Sequence, residues 1–153
     1  MTSGSTPKPW VQFACVCEKA LREPDNVASL IRIVDTYYLD RVPLPAEIAR
    51  KAALPLTIAV SLKSGDVVGE HELDLRFTPP DGQITPIQKW PVRFDGNESG
   101  VNLIMEFALG TPEFGLYWFD VLWGEEVLTR IPLRVKPRVP DASNESTESA
   151  MLQ

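Results

Sequence analysis

The chain has 153 residues, the size of one domain, and folding at that size buries on the order of 70% of the surface an unfolded chain exposes. Hydrophobic residues at 44% and charged residues at 24% point away from general disorder and from a membrane protein. A formal charge of −6, a pI near 4.8 and the lack of any run of basic residues argue against nucleic acid and against an anionic membrane surface as partners.

The opening MTSGSTPKPW lacks the regions of a signal peptide, and no later stretch is apolar for long enough to span a bilayer, so a cytoplasmic protein is expected. Cys15 and Cys17 are compatible with a reducing compartment. Residues 1–9, rich in Ser, Thr, Gly and Pro, and residues 137–153, rich in Pro, Ser, Asn and Glu, are expected to be disordered tails, the second of them acidic, around a domain at 10–136. Fourteen prolines against nine glycines mark frequent reversals and sheet edges rather than helices.

Within the domain the apolar residues follow period two, the pattern of strands buried on one face. Val11, Phe13, Cys15 and Cys17 share a face, and Glu23-Pro24-Asp25-Asn26 turns the chain into a second strand, Val27 to Val34. Asp35, Tyr37, Tyr38 and Asp40 follow as a polar and aromatic cluster. Pro45 to Ala53 combines strong helix formers behind a proline suited to a first helical turn, which predicts one short helical insertion. Leu54, Leu56, Ile58, Val60 and Leu62 form the next row, and after the turn at Ser64-Gly65-Asp66 come His71, Leu73, Leu75 and Phe77; the two rows read as a hairpin. Trp90, Val92 and Phe94, interrupted by Pro86 and Pro91, suit an edge strand. Val101, Leu103, Met105, Phe107 and Leu109 alternate cleanly, and Phe114 to Trp123 and Glu126 to Lys136 complete about eight strands. Their regular spacing predicts an all-β antiparallel sandwich.

In the last pair of strands Gly124-Glu125 suits a type II′ turn, which would pair Val121 with Leu128, Phe119 with Arg130 and Tyr117 with Pro132. That register sends Arg130 to the face where Tyr117 and Phe119 belong. A β-bulge near Thr129 and Arg130 repairs the conflict and turns Leu128 and then Ile131, Leu133 and Val135 inward. An exposed apolar stripe of Leu116, Trp118 and Leu122, with Asp120 between, is then expected on the outer face. In the other register Leu116, Trp118 and Leu122 are core and the tyrosine row lies outside.

Chemistry is hard to place. His71 is the only histidine, and no nucleophile elbow, phosphate loop or dinucleotide fingerprint is present. Cys15, Cys17 and His71 fall short of the four ligands of structural zinc, and Asp95-Gly96-Asn97-Glu98 offers calcium too few oxygens, so neither catalysis nor a metal or cofactor is expected. The leading expectation is a non-catalytic protein-interaction domain that meets a protein partner or a second copy of itself through the Trp118 stripe or a sheet edge. The alternative is a small-ligand or carbohydrate module built on Trp10, Asp35, Tyr37 and Tyr38.

Val11 to Cys17, Ser29 to Asp35, Gly69-Glu70-His71 leading to Pro80-Asp81-Gly82, and Gly115 to Val121 leading to Ile131 to Val135 together resemble a family of short bacterial proteins that carries a domain-of-unknown-function label. The resemblance spans most of Trp10 to Lys136 and implies an immunoglobulin-like sandwich with no catalytic residues to carry over. The chain departs from the pattern at Pro45 to Ala53 and at Gly124-Glu125, where Asp-Gly is more usual.

Overall fold

The computed structural model describes residues 6–25, 27–40, 54–110 and 113–138, and every regular element among them is a strand. One sheet runs β2 (Ala28–Val34), β1 (Trp10–Arg22), β4 (Leu54–Lys63), β7 (Gly100–Leu109). The other runs β3 (Thr36–Asp40), β9 (Glu126–Arg138), β8 (Gly115–Trp123), β5 (Val68–Thr78), β6 (Thr85–Asp95). All pairings are antiparallel except β3 beside β9, which is parallel. This is an immunoglobulin-like β-sandwich.

Period two builds the core. Leu56, Ile58, Val60 and Leu62 of β4 face Tyr117, Phe119 and Val121 of β8 and Ile131, Leu133 and Val135 of β9, all essentially without solvent contact. Phe107 of β7 meets Phe119 across the sandwich edge to face, at 5.3 Å between ring centres. Phe77 lies against Tyr117 at 5.6 Å. The Tyr117 hydroxyl donates to the Glu113 carbonyl at 2.8 Å and accepts from the Glu113 N–H at 2.7 Å. That is the tyrosine corner found in Greek-key sandwiches, here pinning the entry to β8. Beside it Gly115, at φ +136°, approaches so closely that a Cβ would stand 2.9 Å from the Pro80 ring.

Nine strands are present among the described residues rather than about eight, because Thr36–Asp40 is a strand in its own right. Val34 and Tyr37 both pack on the core, three residues apart, since the chain crosses from one sheet to the other at Asp35. The expected hairpin of β4 with β5 does not form. Those strands lie in different sheets, and the turn closed by the Val67 N–H on the Ser64 carbonyl joins them. Val11 does not share a face with Phe13, because a register shift between them turns Val11 toward the core. The segment 45–53, read as a helix, lies outside the described residues.

In the last hairpin Gly124 has φ +60° and Glu125 is not left-handed, as a type II′ turn requires. The bulge falls one residue before the expected place. Leu122 pairs with Val127 and Val121 with Thr129, leaving Leu128 as the extra residue, and Phe119 then faces Ile131 and Tyr117 faces Leu133. Leu128 packs on the core as expected, and the bulge at that residue brings Arg130 beside Asp120 on the outside. The β6 strand is an edge, as its prolines indicate.

Phe119→Ala should cost about 3–5 kcal/mol of unfolding free energy. Tyr117→Phe, which loses only the corner, should cost about 1–2 kcal/mol, and urea titration of both variants measures the difference.

Candidate functional site

The β8 stripe is not the open apolar surface expected from the sequence. Leu116 and Trp118 are half-buried, while Asp120 and Leu122 are buried at 6% and 5% exposure. Over Trp118 and Asp120 the cover comes from neighbouring arginines. The Arg130 guanidinium lies 4.3 Å from the centre of the Trp118 ring, and its Nε donates to Asp120 Oδ1 at 2.9 Å. Arg76 approaches the other Asp120 oxygen at 3.8 Å, and its Nε is buried without a partner. Residue type and alternation mark this stripe as apolar, but they do not show that long side chains on the flanking strands reach over it.

The residues of the alternative ligand site are dispersed. Trp10 opens β1 and donates Nε1–H to Glu98 Oε2 at 2.8 Å. Tyr37 points into the sandwich, close enough to Glu18 and Cys17 for their charges to act on it, and burial raises its hydroxyl above the ordinary value. Cys17 is seven residues along β1 from Trp10, roughly 23 Å at the usual strand rise. Tyr38 stands on the outer face of β3 beside Lys136, and Asp35 is the bend between β2 and β3. No single surface gathers Trp10 with the two tyrosines. In the Asp95 to Glu98 turn both carboxylates are engaged, Asp95 with Arg93 at 3.5 Å and Glu98 with Trp10.

His71 is half-buried and lines an open hollow of about 760 Å³ with Trp123, Glu72 and Glu126. Its Nε2 is 2.9 Å from the Val68 carbonyl and its ring rests 4.8 Å from Trp123. Among the described residues His71 makes no hydrogen bond to a hydroxyl, a thiol or a carboxylate, which is the coupling an activated nucleophile needs.

The surface that stands out is on the opposite sheet. Outward residues of β1 and β2 include Phe13, Leu21, Ile31 and Ile33, exposed at 40%, 37%, 41% and 67%. Ile33 pairs with Cys17 and Ile31 with Lys19, so the two isoleucines adjoin the Phe13, Cys15, Cys17 row. Next to this row Ala59 of β4 is buried at 2% exposure, and Ile104 of β7 beyond it is half-buried. Lys19 and Glu106 are the charges in the middle of this face, with Lys63 at its end, and neither Lys19 nor Glu106 has an ion-pair partner among the described residues. Cys17 is buried on this outer side, not among the core side chains. Burial, with Cys17 beside it, pushes the Cys15 thiol up to about 11, which keeps it protonated at neutral pH.

Residues 12–136 match a family of unknown function, DUF6941. The chain belongs to DUF6941. No curated protein matches it. Among solved structures, this DUF6941 chain is similar to the alkylpurine DNA glycosylase AlkC of Pseudomonas fluorescens bound to DNA containing an abasic-site analogue. That likeness has a TM-score of 0.50 at 10% identity, over 88% of this chain and 32% of the glycosylase. A Trichoderma reesei β-D-glucoside glucohydrolase gives 0.49 at 11% identity, over 84% of this chain and 19% of the enzyme. An immunoglobulin-like protein from Pseudomonas aeruginosa gives 0.44 at 16% identity, over 87% of this chain and 100% of that one. The chain thus spans about a third of the glycosylase and a fifth of the glucohydrolase, and at these identities the likeness is one of fold alone.

The raised Cys15 value has a consequence for stability. A thiol held at about 11 in the folded chain against 9.0 when free favours the fold fully below pH 9, and that contribution is lost as the pH rises through 11. Cys15→Ala should therefore flatten the alkaline fall of the urea midpoint across that window relative to the natural chain, while matching its slope at neutral pH.

Proposed function

We propose that this chain is a non-catalytic protein-interaction domain, and that a second copy of the chain seats on the outer face of β1 and β2. The observation that carries the reading is the cluster of Phe13, Leu21, Ile31 and Ile33 on the outside of a sandwich whose other outer face is charged. The outer face of an antiparallel sheet is ordinarily polar, and several large apolar side chains exposed on one such face mark an interface.

Contact through the face suits this surface better than extension of the sheet at its edge. Arg32 sits in the middle of edge strand β2 at φ +55°, where it breaks the regular ladder and pairs with Glu18 at 2.9 Å. Such a kink blunts strand addition. A two-fold contact also suits the charges, because Lys19 of one copy and Glu106 of the other are opposite in sign and each lacks a partner within its own chain's described residues. Two free thiols accord with a cytoplasmic setting for such a domain.

Sedimentation velocity across a wide concentration range tests this. The natural chain should dimerise, Ile33→Lys should be monomeric with an unchanged urea midpoint, and Lys19→Glu should weaken the dimer while adding Glu106→Lys restores it. A natural chain that stays monomeric throughout, or a dimer indifferent to Ile33→Lys, contradicts the reading.

A further inference from the structure

The outer face of the second sheet is divided by charge. Over β5 and β6 acids and bases interlace, with Lys89 between Glu72 at 3.2 Å and Asp74 at 3.6 Å, and Arg93 beside Asp95 at 3.5 Å. Over β9 from Arg130 to Arg138 the charge has one sign, while Glu126 at the start of the strand pairs with Lys8 at 2.6 Å. Arg130, Arg134 and Lys136 point outward, alternating with the buried Ile131, Leu133 and Val135, and Arg138 extends the row. The carboxylate facing this strip from β8 is Asp120, already held by Arg130 and Arg76. Arg134 and Lys136 make no ion pair among the described residues.

The chain has a net charge of −6, yet among the described ion pairs the acids flanking this strip engage Arg130 through Asp120 and leave Arg134 and Lys136 unengaged, with Asp40 opposite Arg138 at the far end of the register. Cations two residues apart on a strand lie about 7 Å apart, the repeat of alternate side chains on any other extended chain. Tyr38, 53% exposed beside Lys136, and the half-buried Trp118 give the strip apolar contact area along both flanks. A nucleic acid fits less well. The net charge repels a polyanion at long range, and the adjoining half of the same face carries Glu70, Glu72 and Asp74.

We propose that the outer face of β9 docks an extended acidic segment of a partner protein, with carboxylates on alternate residues meeting Arg134 and Lys136. The surface is separate from the β1–β2 face, and the proposal does not depend on self-association.

The test uses the full chain and a fluorescein-labelled peptide alternating glutamate and threonine, as long as the 13 residues of β9, read by anisotropy at low and moderate salt. Binding should be saturable and weaken with salt, and Arg134→Glu with Lys136→Glu should weaken it about tenfold or more. Lys89→Glu with Arg93→Glu, on the same face but over β6, should leave it within about twofold. The exposed pair is expected to be replaced without loss of fold, checked by the urea midpoint; if the reversal unfolds the chain, Arg134→Gln with Lys136→Gln takes its place. Three results overturn the proposal: no binding of the peptide, equal weakening by the two charge reversals, or an oligothymidylate of matched charge binding as tightly as the peptide. Peptide binding that persists in Ile33→Lys separates this surface from the β1–β2 face.

Discussion

A strand of period two sends alternate residues to opposite faces, so the burial of Phe119, Leu133 and Val60 in one shared core decides at the same time which residues stand outside. In this sandwich that constraint acts most strongly on β8 and β9. Tyr117, Phe119 and Val121 must meet the facing sheet, and the type II′ turn at Gly124 fixes where β9 begins. The single extra residue at Leu128 reconciles the two demands. It brings Arg130 beside Asp120 and over Trp118, which closes the outer side of β8, and it sets Arg134 and Lys136 outward.

Much of the fold was legible because the same constraint is written in the chain. The inward rows of β4, β7 and β8, the edge position of β6 and the need for a bulge in β9 all follow from alternation, proline and turn chemistry. What was not legible depends on relations between strands. The β3 strand hides behind Asp35, where the chain changes sheets and Val34 and Tyr37 break period two. The β4 and β5 rows look like a hairpin because the short turn between them is equally good at joining two sheets.

The candidate surfaces were harder to read for related reasons. Phe13 and Cys15 form a row as regular as any core row, and only the register shift after Val11 reveals that it faces outward. Cations at 130, 134 and 136 make no run in the sequence, yet a strand collects them on one side. Conversely, Asp120 falls on the outer face as alternation requires but is covered by side chains reaching from β5 and β9, and Leu122 beside it is buried as well. Faces follow from periodicity, whereas exposure is decided by neighbours.

The two outer faces differ in kind, one apolar around Ile33 and the other charged, and this asymmetry is the basis for reading the chain as an interaction domain. Hydroxyl-radical footprinting of dilute against concentrated protein tests it most directly. Phe13, Leu21, Ile31 and Ile33 should lose labelling on concentration, while Val68 and Phe114, which are comparably exposed elsewhere, keep theirs. Unchanged labelling of Ile31 and Ile33, or an equal loss at Val68 and Phe114, would contradict the account.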